Sequence, residues 1–268
     1  MLKHSLNYFA HAANSFQIVF KAQSHTSSKE LKRFYKQVTI NKINQCNNWG
    51  IFLDGKPLKT PGGKVLAVTS SEGSKLIADE WNKQHDIVNC REMPYTSLAI
   101  QALDLIESHS NLVEKKILEY LRTDCFLIRP KNFQESQNFI NKDYLGSLEP
   151  LHCKIQKFYN LSEPLKMSTN LEIPAQNVQD LDKLAYQIRK RNHLQLSCLF
   201  TATQILHSYL LSLAMLDSLE SVDKILYASM IENKMQQQVW GSTATQKKEE
   251  KDIKQRLVAT HMFHTQVA

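Results

Sequence analysis

Four of the seven glycines in this 268-residue chain fall within one stretch of fifteen, WGIFLDGKPLKTPGG, at positions 49 to 63. Tight reversals need glycine because it takes positive φ without steric cost. With seven glycines and seven prolines in all, such reversals are dense only here. The remainder lacks the punctuation of an all-β protein. Asp54-Gly55 lies between two short apolar runs, the signature of a two-residue hairpin. Thr60-Pro61-Gly62-Gly63 marks a second reversal, in which Pro61 sets φ and a following glycine takes the left-handed position. RFYKQVTI before this stretch and KVLAV after it complete a small antiparallel meander within residues 33–69.

Glycine beside lysine also suits a phosphate-binding loop. That loop needs its glycines between a strand and a helix, with successive N–H groups aimed at one point. The G-x-x-x-x-G-K-[ST] order is absent, and these glycines sit between β runs. They make hairpins, and no nucleotide is expected.

After Ser70 the pattern turns helical. Ser70-Ser71-Glu72 can cap a helix carrying Leu76, Ile77, Glu80 and Trp81. Met93-Pro94 opens another, with Leu98, Ala102, Leu105 and Ile106 in step. Asn111 to Glu114 reads as a capping box ahead of Val113, Ile117, Leu118 and Leu121. Residues 160–176, with Pro164 and Pro174, read as a connector, and helices are expected at 178–191, 193–217, 221–240 and 246–262. Strands first and helices after predict an α+β protein. Its small N-terminal antiparallel β domain spans residues 30–70, and a larger α-helical domain spans 71–268.

Residues 1–29 read differently. Leu2, Leu6, Phe9, Ala13, Phe16 and Phe20 share one helical face, and Lys3, Lys21 and Lys29 are present with no acid. This is the pattern of a mitochondrial presequence. It supplies three of the seven positive charges by which the chain exceeds neutrality. The other basic clusters are short and interleaved, so no nucleic-acid partner is expected. Leu194 to Leu216 is free of charge over 23 residues, long enough to cross a bilayer. It also holds Gln195, Ser197, Thr201, Thr203, Gln204, His207, Ser208 and Ser212, which favours a buried bundle helix over stable membrane insertion.

Motifs for chemistry are missing. The five cysteines are scattered, with no C-x-x-C pair, and the histidines show no H-E-x-x-H. His261 and His264 lie three apart but lack a third ligand, and a frayed surface end is the expectation. His207 is expected in the core, and Glu80 and Asp104 as caps or surface ion pairs. No catalytic residue, metal or cofactor is assigned. An enzyme with a site between the β and helical domains stands as the alternative.

One helix has the spacing of a docking element. Glu232, Gln236 and Trp240 recur every four residues, beside a second stripe of Tyr227, Ile231, Met235 and Val239, and Gly241 ends the run. Periodicity alone puts Trp240 and the second stripe in the core and Glu232 in solvent.

Taken in order, RFYKQVTI, WGIFLDGKPLKTPGG, LIADEW, MPYTSLAIQALD, YLRTDCFLIR and ENKMQQQVWG resemble the mitochondrial assembly chaperones that attend the α subunit of the ATP synthase F(1) head, the F(1) complex assembly factor 2 family. The similarity covers residues 33 to 241. It implies a non-catalytic protein of the mitochondrial matrix, monomeric when free. Such a protein binds the free α subunit, shields its inter-subunit surface and hands it on for α/β assembly. It also implies that Glu232, with Gln236, Trp240 and Gly241, contacts the client. The family has more acids directly after that glutamate and an aromatic before the glutamine. Here stand Asn233, Lys234 and Met235, and beyond Gly241 come Ser242 to Gln246, then Lys247 and Lys248.

Overall fold

The computed structural model describes residues 31–43, 48–128, 145–168 and 174–267. The expected presequence lies outside them. The chain divides into two compact units between Ser108 and His109. Division by compactness thus differs from division by secondary structure, because the first unit holds helices as well as the sheet.

Four strands build the sheet of the first unit: β1 (Val38–Ile43), β2 (Asn48–Leu53), β3 (Lys56–Pro57) and β4 (Ala67–Val68). β2 is central and pairs antiparallel with all three others, meeting β1 from Val38↔Leu53 to Ile43↔Asn48. Asp54 (φ 48°) and Gly55 (φ 77°) both take positive φ, as a two-residue hairpin demands. β1 starts later than the RFYKQVTI pattern predicts. Lys36 and Gln37 give their amides to the Asp54 carboxylate at 3.0 and 2.8 Å, so they do not enter the ladder. The second turn closes with Thr60 N–H donating to Lys64 C=O and Gly63 N–H to Thr60 C=O, each at 2.8 Å.

Helix α1 (Ser71–Asn82) starts as predicted, with the Ser70 hydroxyl accepting from Gly73 N–H. It lays Ile77, Ala78 and Trp81 against β1, β2 and β4. Helix α2 (Pro94–Gln101) has Pro94 in its first turn and no cap from its own Met93. A π-helical turn, Ala102–Ile106, leads into α3 (Glu107–Arg122). The helix breaks at His109 (φ −135°, ψ 31°) and then resumes near Asn111, where the sequence suggested a start.

The second unit is helical: α4 (Leu145–Phe158), α5 (Val178–Arg189), α6 (His193–Leu206), α7 (Tyr209–Leu216), α8 (Val222–Ser229), α9 (Ile231–Trp240) and α10 (Ala244–Gln266). α6 packs on α7 and α10, and α8 on α7 and α10. Leu199, Tyr209, Leu210, Leu213 and Phe263 in their midst are fully buried. Strands followed by helices give the α+β architecture expected from the sequence.

Two predicted helices prove to be pairs. The charge-free span breaks at His207, which takes a left-handed backbone (φ 50°) and stands exposed rather than in the core. Ser208 then caps α7 by accepting from Leu211 N–H. Among the described residues no helix is long and apolar enough to cross a membrane. The run at 221–240 breaks at Met230 (φ −107°, ψ 13°). The C-terminal helix is longer than predicted and does not fray at its histidines. His264 is 7% exposed, and burial, with Arg191 nearby, lowers its pKa to about 4.

Candidate functional site: the exposed face of helix α9

Among the described residues the buried carboxylates Glu80, Asp124 and Asp180 accept from backbone amides. Glu80, 5% exposed, accepts from Tyr95 N–H (2.7 Å), Thr96 N–H (2.8 Å) and the Thr96 hydroxyl (2.7 Å). It supplies the cap that Met93 cannot, and so docks α2 onto α1. Burial pushes its pKa up to about 7 against those hydrogen bonds. Asp104, on the π turn, accepts from the Thr60 hydroxyl (2.6 Å) and Gly62 N–H (2.9 Å), which fixes the TPGG reversal. A Cβ on Gly62 would lie 2.6 Å from Asp104 Oδ1, so the turn needs glycine for space. The sequence placed both acids as caps or surface pairs; Glu80 is a cap, of a different helix, and Asp104 is a turn clamp.

In the second unit Asp124 plays the same part. It is 1% exposed and accepts from Phe126 N–H and Leu210 N–H, each at 3.0 Å. Burial raises its pKa to about 6. The Arg191 guanidinium holds Asp217 at 2.7 Å, and the Tyr159 hydroxyl donates to the same carboxylate at 2.6 Å. Asp180 accepts from Ser162 N–H and its hydroxyl and from Lys183, which together hold its carboxyl well below the usual range. It borders a cavity of about 10 Å³, the space of one water. Among the described residues no group of three or more histidine, cysteine or acidic side chains could hold a metal.

Against this background α9 is unusual. Its one buried described side chain is Ile231, at 9%. Glu232 and Gln236 are exposed, Val239 is 63% exposed and Trp240 79%. Periodicity misplaced Trp240 and Val239: the helix ends at Gly241 before either reaches a neighbour that would cover it. Glu232, Gln236 and Trp240 fall on one stripe, eight residues from end to end and therefore about 12 Å long. Glu232 also lies near enough to Cys125 to add, after burial and Asp124, to the rise of that thiol's pKa to about 12. Gly241 (φ 80°, ψ 173°) donates its N–H to Gln237 C=O at 2.8 Å and ends the helix.

Lys234 does not share this exposed face. Its ammonium lies 2.6 Å from both carboxylate oxygens of Glu250 on α10. Sequence reasoning missed this pair, since nothing local says which of several acids a lysine sixteen residues away will meet.

Residues 32–149 match the family model described as ATP12 chaperone protein. The mitochondrial protein ATP12 of Saccharomyces cerevisiae is 24% identical over 157 residues, which is 51% of this chain and 48% of the relative. The match thus spans about half of that relative's length. The mitochondrial protein atp12 of Schizosaccharomyces pombe is 23% identical over 258 residues, covering 90% of this chain and 84% of the relative. Among solved structures, Atp12 from Paracoccus denitrificans superposes with a TM-score of 0.79 at 20% identity, over 89% of this chain and 99% of that one. A protein from Agrobacterium tumefaciens gives 0.83 at 20% identity, over 97% and 99%. Those two likenesses show a shared fold, and the family's name is that of a chaperone, not an enzyme. Residues 32–149 thus carry the sequence pattern of the ATP12 chaperone family.

Proposed function

We propose that this protein is an assembly chaperone of mitochondrial ATP synthase. It binds the free α subunit of the F(1) head in the matrix, shields its inter-subunit surface and hands it on for α/β assembly. The match of residues 32–149 to the ATP12 chaperone family supports an assembly role, and the motif resemblance supports the α subunit as client. The observation that carries the choice of site is Trp240, 79% exposed beside Val239 at 63%. Large apolar residues left together on a surface mark an interaction site, and tryptophan is the commonest energetic anchor at interfaces. Glu232 supplies charge and Gln236 a hydrogen-bonding group on the same stripe. A lone α subunit would itself expose apolar interface, so a chaperone needs a complementary surface and no reaction. The free protein is proposed to be a monomer that meets its client one to one.

Glu232→Lys tests this. The residue is exposed, so folding should hold and melting should shift little, since such swaps change stability by under about 0.5 kcal/mol. Capture of tagged α subunit should fall. Undiminished capture by a folded variant would place the contact elsewhere.

A further inference from the structure

Resting on that reading of α9, a further question is what holds so short and exposed a helix in place. It has ten residues, fewer than the roughly 12–15 an isolated helix needs to persist in water. Met230 gives it no side-chain cap, and Ile231 alone of its described side chains is buried. Two features compensate. Lys234 reaches across to Glu250 with both carboxylate oxygens at 2.6 Å, and the two side chains are 25% and 30% exposed. Gly241 adopts φ 80° and ψ 173°, a region open essentially to glycine alone. Two residues later Thr243 caps α10 in a reciprocal box with Gln246, at 3.2 and 2.8 Å. The α9–α10 corner is thus fixed in its backbone at Gly241 and Thr243. The ion pair closes it from the side.

The pair also sets the charge of the face. Glu232 and Lys234 are the two charged residues of α9. With Lys234 engaged by Glu250, Glu232 is the charge α9 turns to solvent. The lysine that departs from the family's acidic pattern is therefore turned away from the contact.

We propose that Lys234, Glu250 and Gly241 are positioning residues that lock α9 against α10, so that Glu232, Gln236 and Trp240 meet a cationic, apolar-bordered patch of the client as a preformed edge. A half-exposed ion pair adds little to global stability. It governs the local opening of a helix whose other described side chains are mostly exposed. Preformed edges bind more tightly because less ordering is left to do on contact.

The test uses the full chain and compares Lys234→Ala, Lys234→Glu, Glu250→Lys, the exchanged pair K234E/E250K, and Gly241→Ala, with Glu232→Lys alongside. Three readouts are taken: amide hydrogen exchange over residues 231–243, the global melting point, and the affinity for tagged α subunit. Lys234→Ala and either single charge reversal should speed exchange in α9 about 5- to 10-fold and weaken capture by a similar factor, with melting nearly unchanged. The exchanged pair should restore both. Gly241→Ala should loosen α9 and weaken capture without altering any charge. Should Lys234→Ala exchange and capture like the parent while Glu232→Lys loses capture, the positioning role is overturned and the site reading stands. Failure of the exchanged pair to recover would likewise overturn it. Should Glu232→Lys itself capture normally, the reading of α9 as the client contact falls, and the positioning role falls with it.

Discussion

Trp240→Ala is the perturbation whose size can be worked from the structure. Tryptophan buries 150–250 Å² when fully covered, and Trp240 leaves 79% of its surface to solvent. Covering it would remove about 150 Å² from water, worth at most about 4 kcal/mol at ~25 cal/mol per Å². Side-chain ordering and incomplete coverage reduce this, so the expected loss of client affinity is about 2 kcal/mol, or about thirtyfold. Folding should barely respond, because the side chain covers little of its own protein; a melting shift under about 2 °C is expected, given under about 0.5 kcal/mol for such a surface change. Titration of immobilised α subunit, with scanning calorimetry of the free variant, measures both. A melting point lowered by many degrees would show that Trp240 is a packing residue after all. Unchanged affinity would show that its exposure serves no client.

Further predictions concern the carboxylates that pin turns and helices within each unit. Glu80→Ala leaves the amides of Tyr95 and Thr96 without their acceptor and should cost about 2–4 kcal/mol, read by urea unfolding. The pH dependence has a definite sign. Glu80 titrates near 7 when folded against an ordinary 4.5, so the folded state keeps a proton that the unfolded state releases. Its contribution is full below about pH 4.5, declines as pH rises and is flat above about 7; Glu80→Gln should remove that slope, so an unaltered stability difference between pH 5 and pH 8 would contradict the assignment. Asp124→Ala strands the amides of Phe126 and Leu210 in the core and should cost about 2–4 kcal/mol, read by thermal unfolding. Gly62→Ala sets a methyl 2.6 Å from a carboxylate oxygen already pinned by Thr60 and should cost about 1–3 kcal/mol; a neutral result in urea would mean the turn moves freely.

What the sequence showed and what it hid divide along one line. Features decided by adjacent residues were legible: positive φ at Asp54-Gly55, the Ser70 cap, Pro94 in a first turn and Gly241 at a helix end. Features decided by distant residues were not. Glu80 meets amides fifteen and sixteen residues on, Asp104 a turn 42 and 44 residues back, and Asp124 one 86 residues on; no local pattern names those partners. Breaks at His207 and Met230 were hidden because helical periodicity runs on through both. In hindsight Ser208 was a signal, as a cap inside an apolar run. Trp240 was misplaced because the hydrophobic stripe assumes a neighbour to receive it, and α9 offers none at that end. The family motifs gain a physical meaning in this light. In the first unit LIADEW, MPYTSLAIQALD and TPGG are held to one another through Glu80 and Asp104, which gives these segments a part in the fold.

The central claim is temporary cover of a client, and purification of tagged α subunit together with this protein tests it most directly. The account predicts a one-to-one complex with α subunit alone and its dissolution as β subunit is added. Failure to form that complex, or a complex that β subunit leaves intact, would contradict it.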